Sequence, residues 1–187
     1  GMFILGFALF AMALKLNGAE ELILSHGSFN LLIIESALLS AIVLLGAIIV
    51  FGIAGPLKCV QKQTSEDRLS IQLGKAVLIS LAIIPVIWLI AITPDKGQVI
   101  GAAAVGGIVI GMLSRQFLGS MQPLLLFALP TAMGGVGYYI GVTLGGTDPS
   151  SFAQQEMSTL LFPMPLDYAA GAIIGLSLGL SWTASTE

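Results

Sequence analysis

The sequence predicts an all-α, polytopic integral membrane bundle of about six transmembrane helices. Three observations carry that prediction. Of 187 residues, 56% are hydrophobic and 9% are charged. A soluble domain carries about 25% charged residues, and a chain of this size has too little interior to hide so much apolar surface from water. Apolar runs of span length recur along the chain between short polar connections. Finally, the later runs repeat glycine at four-residue steps, the spacing that lets helices approach closely in lipid.

A bilayer core takes about 20 apolar residues per helix. The first run, 2–16, reads "MFILGFALFAMALKL". It resembles the apolar region of a secretory signal but lacks a positive start, which favours a retained span. Gly1-Met2 reads as a tag remnant, and a piece of a longer chain is a third reading. The second run, 29–54, is long, bulky and expected to face lipid over much of its surface. The third, 74–93, contains Pro85; the fourth is 97–113; the fifth, 123–144, contains Pro130; the sixth is 167–182. Runs one, four and six are short, and two re-entrant or interfacial segments would reduce the count to five. The whole chain, 1–187, reads as one transmembrane domain.

Basic residues orient the spans. Lys58, Lys62, Arg68, Lys75 and Arg115 fall on one face, five of the seven basic residues, which makes that face and both termini cytoplasmic in a plasma or inner membrane. Lys15 and Lys96 fall opposite, with Glu20, Glu21, Asp95, Asp148, Glu156 and Asp167. The single cysteine, Cys59, excludes an internal disulfide and a multi-cysteine metal site. Beside Lys58 and Lys62 it reads as reduced and structural. The longest connection, 146–167, is an outer loop in which Asp148 and Pro149 have the chemistry of an N-cap and first helical residue. A short interfacial helix over 152–161 and a "FPMP" turn at 162–165 are expected there.

The glycines form three sets: Gly97/Gly101 with Gly107/Gly111, then Gly137/Gly141/Gly145, then Gly171/Gly175/Gly179. Each set lies on one helix face, so the last three spans are expected to pack as a tight unit. Pro85 and Pro130 each remove a backbone donor within a span and are expected to kink it.

Ionisable groups inside apolar runs are functional candidates. Glu35 is one, with Ser36 beside it and Ser40 a turn on, forming a candidate ion or proton site near the outer mouth. A carboxylate reaching headgroup water is the equal alternative. His26 with Glu20 and Glu21 supplies too few ligands for a metal site, so no metal is assigned. No HExxH, GxSxG or triad pattern is present, and no catalytic residue is assigned. Asp167 and Tyr168 read as helix cap and interfacial anchor. No cofactor signature emerges.

The stretch "QVIGAAAVGGIVIGMLSRQFLGSMQP", 98–123, resembles a central helix of the membrane-integral pyrophosphatases. That helix has spaced glycines, ends in an Ile-Gly pair and a polar tail, and precedes a Lys-Pro turn. Ile110-Gly111 and Gln122-Pro123 occupy those places. "DYAAGAIIGLSLG", 167–179, is similar to a later helix of the same family. The resemblance implies glycine-mediated helix packing. It does not imply pyrophosphate chemistry, because the family's aspartate-rich motifs are absent and Ser114-Arg115-Gln116-Phe117 stands where the family has Glu-Tyr-Tyr-Thr.

Two functions remain. One is a transport or ion-translocation component without a catalytic centre. The other is a non-catalytic scaffold or anchor in a multisubunit membrane complex. The expected partners are the lipid bilayer and further copies of the chain or other membrane subunits. Nucleic acid is excluded by a net charge of −3 and the lack of a basic tract.

Overall fold

The computed structural model describes residues 1–25, 27–55, 66–118 and 123–184. His26, the segment 56–65 with Lys58, Cys59 and Lys62, and Gln122 lie outside the described residues. Among the described residues the regular structure is helical, without strands: α1 (Met2–Ala13), α2 (Ala19–Leu24), α3 (Phe29–Ala54), α4 (Glu66–Ser80), α5 (Ile83–Ile90), α6 (Lys96–Leu118), α7 (Leu124–Leu144), α8 (Pro149–Ala153) and α9 (Pro165–Ala184), with a 3-10 turn at Thr159–Leu161.

Four helices are long and apolar enough to cross a membrane: Phe29–Ala54, Ile71–Ile90, Lys96–Leu118 and Leu124–Leu144. The first apolar run forms a helix of only 12 residues. At about 1.5 Å of rise per residue it covers a little over half of a hydrocarbon core. By this measure the count is four.

The helices pack around α9, which touches α1, α3, α6 and α7. Its Ala169, Ala170, Ala172, Ile173 and Leu176 are all buried. The side chains that remain on α9's contact faces are small, so several neighbours reach it at once. α1 meets it at Gly6, where an added Cβ would lie 2.8 Å from the Ile174 side chain. α3 pairs mainly with α7 and is peripheral elsewhere. Leu31, Ile34, Leu38, Ile42, Leu45 and Ile49 make an exposed stripe along it at three- and four-residue steps, the face that lipid would cover. α3 stops at Gly55, whose φ of +80° a side chain would disfavour.

The two in-span prolines act differently, and the outer connection departs from expectation. The third run is interrupted at Leu81–Ala82, one turn before Pro85. Pro85 brings no N–H to Leu81, whose carbonyl instead accepts the Ile84 N–H at 3.1 Å, while the next ladder bond, Val86 to Ala82, stretches to 3.5 Å. α7 runs continuously through Pro130. In the 146–167 connection the helix is Pro149–Ala153, not 152–161. Asp148 stands at its N-cap and accepts from the Ser150 and Ser151 hydroxyls, which hold its carboxyl below the usual carboxylate range. Gln155, at φ +60°, then turns the chain inward. Met157, Leu160, Leu161 and Phe162 are buried, so the "FPMP" stretch that leads into α9 is also an interior plug. Burying those four apolar side chains outweighs keeping the loop in water.

Candidate functional site

Two polar constructions lie within the apolar bundle. The first joins α6 to α9. These helices run parallel, and their glycines meet backbone. A Cβ on Gly171 would collide with the Ile100 carbonyl oxygen, and one on Gly175 with the Ala104 carbonyl oxygen. One on Gly179 would lie 2.6 Å from the Ile108 carbonyl oxygen. From the other side, Gly107 and Gly111 sit against Ala172 and Gly179. Gly97 and Gly101 have no atom within 4 Å of an added Cβ, so that end of α6 is open. Each α9 glycine thus faces the residue 71 places earlier, and the Lys96–Asp167 pair keeps the same separation of 71.

Lys96 Nζ donates to both Asp167 oxygens at 2.9 and 3.1 Å. Asp167 is fully buried, while the Lys96 side chain is 18% exposed. Asp167 Oδ2 also accepts the Met164 N–H at 2.9 Å, closing the start of α9 from its third helical position. At the opposite end the Arg115 guanidinium donates to the Leu180 carbonyl, a favourable place for a cation near a helix C-terminus.

Tyr168 is not an interfacial anchor but wholly buried. Its ring lies on Gly134, at the distance where only hydrogen fits, and its hydroxyl lies on Gly137. It meets the Tyr138 ring edge to face at 5.8 Å. Gly141 receives Leu161, and Gly145 receives the Ser158 backbone. The α7 glycines therefore meet the neighbouring helix α9 through Tyr168 and seat the interior plug beyond it. Tyr138 donates its hydroxyl to the Pro163 carbonyl, tying the plug to α7. Tyr138→Phe should orphan that carbonyl and destabilise by about 1–3 kcal/mol, read as a lower thermal midpoint in detergent. Tyr168→Phe should be neutral or mildly stabilising, because the Tyr168 hydroxyl has no partner among the described residues.

The second construction is the seam between α3 and α7. Ser40 Oγ donates to the Ala128 carbonyl at 3.0 Å. Further along, Gly135 lies against Ile33 and Ser36. The two helices are therefore antiparallel, and Thr131 falls between these contacts on the same α7 face as Ala128 and Gly135. Ser36 and Thr131 are fully buried, and neither hydroxyl has a hydrogen-bond partner among the described residues. The Ser80 and Tyr168 hydroxyls are likewise buried without a partner among the described residues, whereas Ser114 and Ser177 donate back to carbonyls of their own helices at 2.8 and 2.7 Å. Glu35, next to Ser36, is exposed on α3.

Comparison with family models, with curated proteins and with solved structures finds no match.

The structure thus brings Ser36 and Ser40 into one seam, leaves Glu35 exposed on α3 beside Leu31 and Leu38, and adds Thr131, to which no sequence motif points. Its only sequence signal was a hydroxyl following Pro130 within an apolar run. A cavity of about 590 Å³ between Thr93 and the Phe152–Phe162 segment lies elsewhere, walled by Ile92, Phe152, Met157 and Phe162. Among the described residues no three metal-ligating side chains converge. The seam offers hydroxyls, which can hold a small polar guest but include no nucleophile with its base.

Proposed function

We propose that this chain is a small multi-pass membrane component that moves an ion across the bilayer, without a catalytic centre. One observation carries the reading: two enclosed hydroxyls, Ser36 and Thr131, on the packed faces of α3 and α7, have no partner among the described residues, and the exposed Glu35 stands next to Ser36. A buried polar group without a partner costs about 1–3 kcal/mol, and in hydrocarbon such groups mark ion pathways. On this reading α1 and α9 cross as well, giving six spans, with the Arg115 end and both termini cytoplasmic in a plasma or inner membrane. The likeness of α6 and α9 to pyrophosphatase helices enters only as shared packing.

The test is flux. Purified protein in liposomes should dissipate an imposed proton or sodium gradient faster than empty liposomes. Glu35→Gln should slow it by about tenfold or more, the rate equivalent of losing one charge-assisted contact. Wild-type liposomes no leakier than empty ones would end the transport reading.

A scaffold reading has one specific observation behind it. The open Gly97 and Gly101 positions lie four residues apart on an exposed part of α6, a groove that a partner helix or a second copy of the chain would fill. Crosslinking through cysteines introduced at these positions in native membranes tests it.

A further inference from the structure

We propose that the α3–α7 seam holds ordered water and that the ion it handles is the proton. This deepens the transport reading and rests on it. The argument starts from what the hydroxyls forgo. A serine or threonine inside a helix satisfies its hydroxyl by donating to a carbonyl one turn back, as Ser114 and Ser177 do. Ser36 and Thr131 do not, although both are completely enclosed. Each therefore presents a donor and an acceptor to the interface, and water is the guest that answers both at once. A metal cation would engage only lone pairs.

The polar lining agrees. A Cβ built on Gly135 would sit at 3.5 Å from Ser36 Cβ and 3.5 Å from the Ile33 carbonyl oxygen, which is ordinary contact, so a methyl can be added there without disturbing the fold. Pro130 adds a further acceptor, since it brings no N–H to the Leu126 carbonyl. Ser40 stands at the same level, holding the Ala128 carbonyl.

Charge selects the proton. Of the helices packed on α3, α7 has no charged residue, and α9 has only Asp167, engaged by Lys96. The seam has no set of carboxylates to replace the hydration shell of a metal ion. Hydroxyls and water relay protons without such a shell: each oxygen accepts one proton and releases another, so no net charge stays on the seam. Glu35 takes the proton up at the exposed edge.

The experiment uses the full chain in liposomes loaded with a pH-sensitive dye, with a potassium gradient and valinomycin setting the potential. Sodium uptake is measured in parallel. Wild-type protein is expected to conduct protons and not sodium. Gly135→Ala, which adds a methyl in contact with Ser36, should cut proton flux at least tenfold while the protein stays folded. Thr131→Val and Ser36→Ala should do the same and lower the thermal midpoint in detergent, because each strips a partner from bound water. A rise in midpoint for both would mean a dry seam and would overturn the proposal, as would wild-type flux in Gly135→Ala. Sodium flux without proton flux overturns the proton assignment but leaves the transport reading standing. No flux of either ion ends the reading itself, and the midpoints still decide whether the seam holds water.

Discussion

Gly175→Ala is expected to break the α6–α9 pair. The added carbon would overlap the Ala104 carbonyl oxygen, and nothing near it is a flexible side chain that could swing aside. Relief requires one helix backbone to withdraw from the other. Gly171 and Gly179 would then lose their contacts as well, since the same two backbones make all three. Overpacking typically costs about 1–3 kcal/mol, and contact against rigid backbone belongs at the upper end or beyond. The expected result is loss of monodisperse protein on size exclusion in detergent, or a thermal midpoint far below wild type. Gly101→Ala is the matched control. It has open space and replaces the poorest ordinary helix former with the best, so it should be neutral or stabilising by up to about 1 kcal/mol. If both variants behave alike, close backbone approach is not what holds α6 to α9.

Lys96→Met is expected to be nearly as damaging, for an electrostatic reason. Asp167 is fully buried and its two oxygens have Lys96 and the Met164 N–H as partners. Removing the lysine leaves a carboxylate enclosed with one backbone donor, and breaking a buried pair from one side costs about 3–5 kcal/mol. The double variant Lys96→Met with Asp167→Asn should recover much of that loss. It removes the uncompensated charge, and the asparagine oxygen still accepts the Met164 N–H. Thermal midpoints of the two singles and the double make the test. A double variant as unstable as the sum of the singles would show that the two side chains do not act as a pair.

Much of this architecture could be read from residue types. An apolar composition and span-length runs imply helices in lipid, since no other open structure satisfies its own backbone there. Four-residue glycine steps mark a helix face, and the α9 set does meet backbone. Periodicity cannot name the partner of a face, however. Nothing in the spacing of Gly137, Gly141 and Gly145 shows that the first meets Tyr168 of α9 while the second meets Leu161 of the connection. The depth of the "FPMP" turn is equally hidden from the sequence: Leu160 and Leu161 sink beside Gly141, and the Thr159 hydroxyl donates to the Trp88 carbonyl. Glu35 and Ser36 stand side by side in sequence, yet the helix turns one outward and the other inward. Thr131 was passed over because a lone hydroxyl in an apolar run is usually satisfied by its own helix. Only coordinates show that this one is not.

The ladder between α6 and α9 has a consequence for alignment. Its rungs are nearly identical: 100 with 171, 104 with 175, 108 with 179. A zip of equivalent teeth could close one tooth out of step, sliding one rod by about 6 Å at four residues of helix rise, with most of its bare-to-bare contacts kept. Lys96 and Asp167 are the one unlike tooth, at the same interval. Displaced by a turn, each charge would face an uncharged neighbour within the apolar interior. The ion pair thus acts as an index mark, excluding the shifted closures that the repeating glycines would otherwise tolerate.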